Sequence, residues 1–301
     1  GVPTRALPPP TSPSPSLPPE TSAPPSTSPL SPTSLFTSRP TWCQANSPSW
    51  ARLPLGCHPL QGADLRRLNL SFVNFDGADL HSSRFDGSLL VGSSFVGARV
   101  EGATFIFAKM IGVDLTDARL SGADFTAADL EGAKLGGQAD HADFAGTLMH
   151  KARFEGVRAI HANFDYANLM HATALGVVAD RSSFEGANLR GSTWKDSSLR
   201  GAYFRKAALE RTRFERSRLD DAHLPGVFLS GAHLILTSLA GATLRLSTLI
   251  DATLLAVSLD GADLSGASFR GSILRQAQFD GARLRMVSFD DATLDRASFV
   301  G

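Results

Sequence analysis

An apolar residue, in most repeats Leu or Phe, recurs at every fifth position from Leu65 to Phe299, with a single irregularity in the spacing. We number this residue i; position i−2 is then nearly always Ala, Ser, Val, Thr or Gly, and positions i−1, i+1 and i+2 are mostly polar. A period of five matches neither the 3.6-residue period of an amphipathic helix nor the alternation of an ordinary strand. Two inward positions in every five, one large and one small, instead predict a coil in which each repeat forms one short side and one corner.

Glycine at position i+2 indicates where the corners lie, because a tight corner favours a backbone conformation that glycine adopts at little cost. Coils of this kind stack about 4.8 Å apart through parallel backbone hydrogen bonds. The pattern therefore predicts a solid rod with a filled interior. The glycines at i+2 include Gly77, Gly87, Gly97, Gly122 and Gly132.

The charged residues indicate four repeats per coil. Residues one coil apart lie above each other, where like charges are unfavourable. At a spacing of 20, leaving out pairs across the irregularity, 14 pairs are of opposite charge and 3 of like charge, whereas at a spacing of 15 the numbers are 14 and 10. Four repeats per coil is therefore the better interpretation. The predicted pairs include Arg190/Glu210, Lys195/Glu215, Asp196/Arg216, Arg200/Asp220, Arg270/Asp290 and Arg275/Asp295.

The irregularity lies in the sequence GGQADHADF, where Phe144 arrives one residue early. If one residue is missing near positions 136–140, with Ala139 as a small residue i, the phenylalanines form one unbroken column on one side of the rod. Gly136 and Gly137 would supply the backbone freedom for the shortened side. The predicted column consists of Phe85, Phe105, Phe125, Phe144, Phe164, Phe184 and Phe204.

The repeats read GADLR, FVNFD, GADLH, GADFT, GANLR and GADLS, and they resemble the pentapeptide-repeat family, whose pattern is A(D/N)LXX. The resemblance covers residues 61–301 and implies an all-β fold, a right-handed quadrilateral parallel β-helix. About 48 repeats would make about 12 coils of four pentapeptides, roughly 55 to 60 Å long at sheet spacing. The family includes DNA mimics that protect gyrase, carriers of repeats beside other domains, and many proteins without an assigned activity.

Charge does not favour a nucleic acid partner or DNA mimicry. Residues 61–301 hold 26 Lys and Arg against 28 Asp and Glu, too balanced to imitate a duplex with one charge per about 1.7 Å. The segment from Arg190 to Arg218 has nine basic and three acidic residues, but it wraps around the rod, and most of its charges face an opposite charge one coil away. We interpret this segment as a solvated band of paired charges.

No arrangement of residues predicts an enzyme, a metal site or a cofactor site. Asp64, Asp79, Asp114 and Asp263 recur at i−1 with the repeat, so their periodicity indicates a short polar group beside the turn. The two histidines His141 and His161 should lie on one side in adjacent coils, but no third ligand accompanies them, and exposed imidazoles are the simpler interpretation. A filled solenoid also offers no concave site for a substrate.

The part of the chain that precedes the repeats has a different composition. Residues 1–41 form a Pro/Ser/Thr-rich tail that we expect to be extended or disordered, either as a linker or as a carrier of O-glycans. Residues 42–60 form a cap or linker containing Cys43 and Cys57, either a structural disulfide or two buried thiols. These features predict an extracellular or cell-surface location. The chain shows no signal peptide and no apolar run of transmembrane length.

The last repeats keep the core pattern, so the end of the rod at Phe289, Leu294 and Phe299 is a predicted end-to-end contact. We therefore expect a non-enzymatic structural or scaffold protein that associates with itself into a filament or a dimer. The alternative is a module that binds another protein through the ends or flat faces of the rod, including a DNA mimic of the gyrase-protecting type.

Overall fold

A computed structural model of the chain describes residues 60–301, which form a four-sided parallel β-solenoid without any helix. The expected all-β fold is therefore confirmed. The Pro/Ser/Thr-rich tail, Cys43 and Cys57 lie outside the described residues, so their predicted structure stays a prediction.

Each five-residue repeat forms one side and one corner of a coil. In the first repeat Leu65 and the residue at i−2, Ala63, point inward, and Arg66 and Arg67 form the turn. The Leu65 N–H donates to the Arg84 carbonyl one coil later at 2.8 Å, and the Arg84 N–H donates to the Ala63 carbonyl at 2.9 Å. These bonds between coils replace the bonds that a helix would make within itself.

We number the four sides by the central buried residue of the first coil: side 1 at Leu65, side 2 at Leu70, side 3 at Phe75 and side 4 at Leu80. Side 3 carries a parallel sheet of nine short strands in sequence order. The strands are β1 (Asp114–Leu115), β2 (Lys134–Leu135), β3 (Arg153–Glu155), β4 (Thr173–Leu175), β5 (Thr193–Lys195), β6 (Arg213–Glu215), β7 (His233–Ile235), β8 (Thr253–Leu255) and β9 (Ile273–Arg275).

The nine-stranded sheet spans about eight turns, fewer than the twelve coils expected from the repeats. Isolated parallel bridges continue the same stacking beyond it in both directions. On side 1, eleven successive bridges lead from Asp64 to Arg283. We number the coils from coil 1, with Leu65, to coil 12, with Leu284.

The shortened side runs from Leu135 to Ala139. Residues here pair with a register of 19 instead of 20, as in Lys134 with Arg153 and Arg119 with Gln138. The register returns to 20 afterwards, as in Arg153 with Thr173. The chain thus drops one residue and keeps the same four sides.

Gly136 and Gly137 make the shortened side possible because it lies against the backbone of the preceding coil. A Cβ atom at Gly137 would lie 2.3 Å from the Ala118 carbonyl oxygen, and one at Gly136 would lie 2.8 Å from the Asp117 nitrogen. Gly137 also has a φ of +74°, in the left-handed region. The glycines are therefore required more by close backbone approach than by turn conformation.

The corner that follows side 3 changes after the shortened side. In coil 3 the Ala118 N–H closes the turn by donating to the Leu115 carbonyl at 3.2 Å. In coil 6 the Val177 N–H instead donates to the Ser197 hydroxyl of the next coil at 3.2 Å. Because this corner lacks the bond that closes the turn, the residue at i+1 pairs with the next coil as part of the strand. Strands β3 to β9 therefore have three residues, and side 3 presents two outward columns, at i−1 and i+1.

The phenylalanines predicted to form a column are stacked along side 1. The Phe125 and Phe144 rings, on either side of the shortened side, are 5.0 Å apart. The other neighbouring rings of the column are 4.7 to 4.9 Å apart and nearly parallel. Toward the end of the rod the stacked rings move to other sides, with Phe269 on Phe289 and Phe279 on Phe299. Stacking adds to the area that each ring buries.

Gly137→Ala should lower the stability of the solenoid by about 2–4 kcal/mol, because the added methyl group meets backbone that cannot move without shifting the coil. Gly132→Ala is the matched control: its φ is +64°, but a Cβ there meets nothing within 4 Å. We expect it to cost about 1 kcal/mol. Urea unfolding followed by circular dichroism compares the two midpoints, and equal midpoints would contradict this account of the shortened side.

Phe144→Ala should cost about 3–5 kcal/mol because it removes a buried ring from the middle of the column. Phe107→Ala serves as the control, since the Phe107 side chain is 70% exposed at a corner. Its replacement should change the stability by about 0.5 kcal/mol or less. Similar losses in the two variants, measured by thermal unfolding, would refute the role assigned to the column.

Candidate interaction surfaces

The corner residue at i+2 adopts a left-handed conformation at nearly every corner. The glycines predicted for this role have φ values between +63° and +67°. However, many corners with positive φ carry a residue other than glycine, among them Arg67, Phe107 and Tyr166. An L-residue in this region is strained by roughly 1 kcal/mol. The hydrogen bonds between coils hold these side chains outward at the edges of the rod.

Large corner side chains lie over a glycine in the next coil. The ring of Tyr166 covers Gly186, where a Cβ would be 2.6 Å from the Tyr166 Cε1 atom. Leu246 covers Gly266 in the same way at 2.7 Å. Sequence reasoning did not find this pairing, although it has a signal: a large residue at i+2 followed by glycine at the same position of the next coil.

The predicted ion pairs between neighbouring coils are mostly present. Five of the six pairs named from the sequence lie within ion-pair distance: Arg190 with Glu210 at 2.8 Å, Lys195 with Glu215 at 3.9 Å, Asp196 with Arg216 at 2.7 Å, Arg200 with Asp220 at 3.2 Å and Arg275 with Asp295 at 3.3 Å. The sixth prediction was wrong. Arg270 approaches Asp291, at 4.0 Å, and not Asp290, which precedes it on the same coil.

Aspartates at i−1 accept a hydrogen bond from the backbone of their own turn. Asp64, Asp79, Asp114 and Asp263 each accept the N–H of the residue two positions later. These bonds hold the turn, as the recurrence of Asp had indicated. The Asp64 carboxylate also accepts two hydrogen bonds from the Arg66 guanidinium, which lower the pKa of Asp64 to about 2.

The Ser265 hydroxyl, 2.6 Å from Asp263, is the main cause that lowers the pKa of Asp263. At Asp114, burial acts to raise the pKa, but hydrogen bonds from Thr116 and Lys134 lower it overall. Because these three carboxylates are held in the charged form by their turns and by basic neighbours, their chemistry is that of structural groups.

The histidines expected on one side of the rod are stacked there. The His141 and His161 rings lie 5.3 Å apart at an angle of 16°. Within residues 60–301, no three His, Cys, Asp or Glu side chains are grouped so that they could hold a metal ion.

Coil 12 leaves inward side chains accessible. Leu294 is 37% exposed and Phe299 is 45% exposed, whereas Leu274 and Phe279 in the preceding coil are buried. Phe289 is half-buried. The structure thus brings the three residues of the predicted end-to-end contact onto one terminal cross-section.

Two groups of apolar side chains are accessible on the sides of the rod. The first lies on coils 1 to 3 and includes Phe72, Leu89, Phe107 and Ile111. The second lies on side 3 and includes Leu236 and Ile273. Sequence reasoning missed both groups because it followed the positions that recur in every repeat and not single apolar residues at outward positions. No helix among the described residues is long and apolar enough to cross a membrane.

A search of curated proteins found no match to this chain. Solved structures that match this chain include HetL, a pentapeptide repeat protein involved in heterocyst differentiation regulation from the cyanobacterium Nostoc sp. strain PCC 7120. It has 24% identity over 79% of this chain and 89% of HetL, with a TM-score of 0.25. QnrB1, a plasmid-mediated fluoroquinolone resistance protein, is 19% identical over 60% of this chain and 90% of QnrB1, with a TM-score of 0.35.

A pentapeptide repeat protein from the thylakoid lumen of Arabidopsis thaliana is 30% identical over 36% of this chain and 69% of the plant protein, with a TM-score of 0.23.

The family models give a direct assignment. The model for pentapeptide repeats matches residues 60–92, 98–137, 212–249, 247–285 and 272–301, and a model for a pentapeptide repeat region matches residues 147–224. Together these ranges cover more than half of the 301 residues, and the chain therefore belongs to the pentapeptide-repeat family.

Proposed function

We propose that this protein is a non-enzymatic scaffold that binds proteins, including copies of itself, through the outer surfaces of its solenoid. Pentapeptide-repeat proteins are in general structural or binding proteins. The proposal rests on the filled interior: residue i of every repeat from Leu80 to Phe279 is almost completely buried in one continuous core. Polar and charged side chains are therefore confined mainly to the outside, where they can act on a partner but cannot enclose a substrate.

We further propose that copies of this protein associate end to end through coil 12. In the preceding coils the N–H group of each residue i donates to a carbonyl of the next coil, as Leu274 donates to Thr293 at 2.7 Å. Strands of a second copy that added to coil 12 would cover the side chains of Leu294 and Phe299. Either a filament or a dimer would make this contact.

The distribution of charge favours this scaffold over a DNA mimic. Opposite charges alternate along the sides, for example in the pairs Arg190–Glu210 and Arg200–Asp220. Mimicry of a duplex requires one sign of charge over a long surface.

The proposed location outside the reducing cytoplasm rests on Cys43 and Cys57, and the proposed O-glycans rest on the Pro/Ser/Thr-rich tail. Mass spectrometry of peptides from the natural, non-reduced protein tests for a disulfide between the two cysteines and for glycans on the tail. A peptide pair joined through the two cysteines supports the location, and free thiols in the isolated protein oppose it.

Phe299→Asp should weaken end-to-end association at least tenfold, because it places a charge in an apolar contact. Phe228→Asp is the matched control, since Phe228 is 56% exposed on side 2, away from coil 12. Light scattering over a concentration series measures the association of the full chain, and negative-stain electron microscopy shows whether rods join at their ends. A monodisperse monomer at high concentration, or equal effects of the two variants, would refute the contact.

A further inference from the structure

Side 3 carries an uncharged centre between coils 9 and 10. The outward column at i+1 places Ile235 directly beside Leu255, since β7 and β8 pair in this register. The adjacent corner residues are Leu236, which is 57% exposed, and Ala256. Together these four residues form an apolar strip, which we call the central strip.

Charged residues lie on both sides of the central strip in a particular order. Before the strip the i+1 column has Lys195 and then Glu215, and after it Arg275 and then Asp295. The order along the rod is thus positive, negative, apolar, apolar, positive, negative. When the column is read in the opposite direction, every sign is reversed.

We propose that side 3 binds side 3 of a second copy of this chain, with the two rods antiparallel. A twofold axis that runs along the strands between β7 and β8 reverses the order of the coils but keeps each column opposite itself. Lys195 then faces Asp295 of the second copy, Glu215 faces Arg275, and Ile235 faces Leu255. Because the axis repeats each contact, the i+1 column alone makes four contacts between opposite charges.

The corner column at i+2 fits the same arrangement. Asp196 faces Arg296 of the second copy, Leu236 faces Ala256, and the Arg216 position faces the uncharged Gln276. Neither column brings like charges together. Within one chain Arg216 already binds Asp196 at 2.7 Å and Glu215 at 2.6 Å, so the contacts would extend existing ion pairs into a network across the interface.

A parallel arrangement fits less well. A twofold axis along the rod would place the i+1 column against the i−1 column of the second copy. Lys195 would face Thr193, Arg275 would face Ile273, and only Glu215 would meet an opposite charge, at Arg213. The charge order therefore selects the antiparallel arrangement.

The size of the surface predicts a reversible dimer. Six coils at about 4.8 Å and a side about 15 Å wide give roughly 400 Å² per copy. Stable interfaces usually bury about 800 Å² per partner. We therefore expect a concentration-dependent equilibrium in which complementary charge contributes orientation. This contact names a partner for the proposed scaffold, but it does not use Phe289, Leu294 or Phe299.

Charge reversal tests the arrangement, with sedimentation equilibrium of the full chain as the measurement. Glu215→Lys alone would place a lysine opposite Arg275 twice in each dimer, and Arg275→Glu alone would place two carboxylates together. Each variant should raise the dimer dissociation constant about tenfold or more. The double variant should restore dimerisation, and so should an equimolar mixture of the two single variants.

Rescue is diagnostic because Glu215 and Arg275 are three coils apart, about 14 Å at sheet spacing, and cannot bind each other within one chain. Glu185→Lys with Arg245→Glu is the matched control, since these residues have the same types and spacing in the i+1 column of side 1. Circular dichroism confirms that each variant is folded. The control substitutions should leave the dissociation constant unchanged.

A protein that stays monomeric at every concentration refutes the proposal, and so does a double variant without rescue. If association is insensitive to Glu215→Lys but lost in Phe299→Asp, coil 12 mediates it and the side 3 contact is wrong. If association persists in Phe299→Asp and is lost and rescued at Glu215 and Arg275, the side 3 contact stands even though the end-to-end proposal fails.

Discussion

The hydrogen bond between a residue i and the coil above it is the interaction on which the rest of the solenoid depends. Each such bond, like that from the Leu65 N–H to the Arg84 carbonyl, fixes one coil at a sheet spacing of about 4.8 Å from the next. Side chains at equivalent positions of successive coils consequently form columns, inside and outside. The phenylalanine rings of side 1 stack at 4.7 to 5.0 Å because their backbones are held at this distance. The ion pairs on the surface have the same origin.

The sequence predicts which side chains lie above each other in a column, because the neighbour of each residue in the next coil is found by counting 20 positions along the chain. Arg190 and Glu210 illustrate this: the spacing and the signs were sufficient. Arg270 shows the limit, since the choice between Asp290 and Asp291 depends on side-chain geometry that spacing does not contain. Positive φ at corner residues such as Arg67 and Tyr166 was also beyond prediction. Local preference opposes that conformation, and the bonds between coils override it.

Differences among the four sides were not predictable, because they depend on backbone geometry at individual corners. Within residues 60–301, side 3 alone forms a regular sheet, and its strands lengthen only after the shortened side at Gly136 and Gly137. At the later corners, the Ser197 hydroxyl accepts the N–H that would otherwise close a turn. The five-residue pattern of the sequence does not show at which corners a serine hydroxyl replaces the carbonyl as the acceptor of this N–H. The outward columns of side 3, and the order of charges along them, become meaningful only once this flat surface is known.

A solenoid with a filled core and nearly balanced charge can still recognise a partner specifically, because recognition depends on the order of charges along a column. Uniform charge would attract any oppositely charged surface, whereas an alternating column matches only a surface with the complementary order. The i+1 column of side 3 is complementary to itself when reversed. By contrast, when the i+1 column of side 1 is reversed over the same six coils, only Glu185 meets an opposite charge, at Arg285, while Arg205 faces Ser265 and Arg245 faces Pro225. Two sides built from the same repeat therefore differ in the partners that they favour, and the difference lies in the residues that the repeat leaves free.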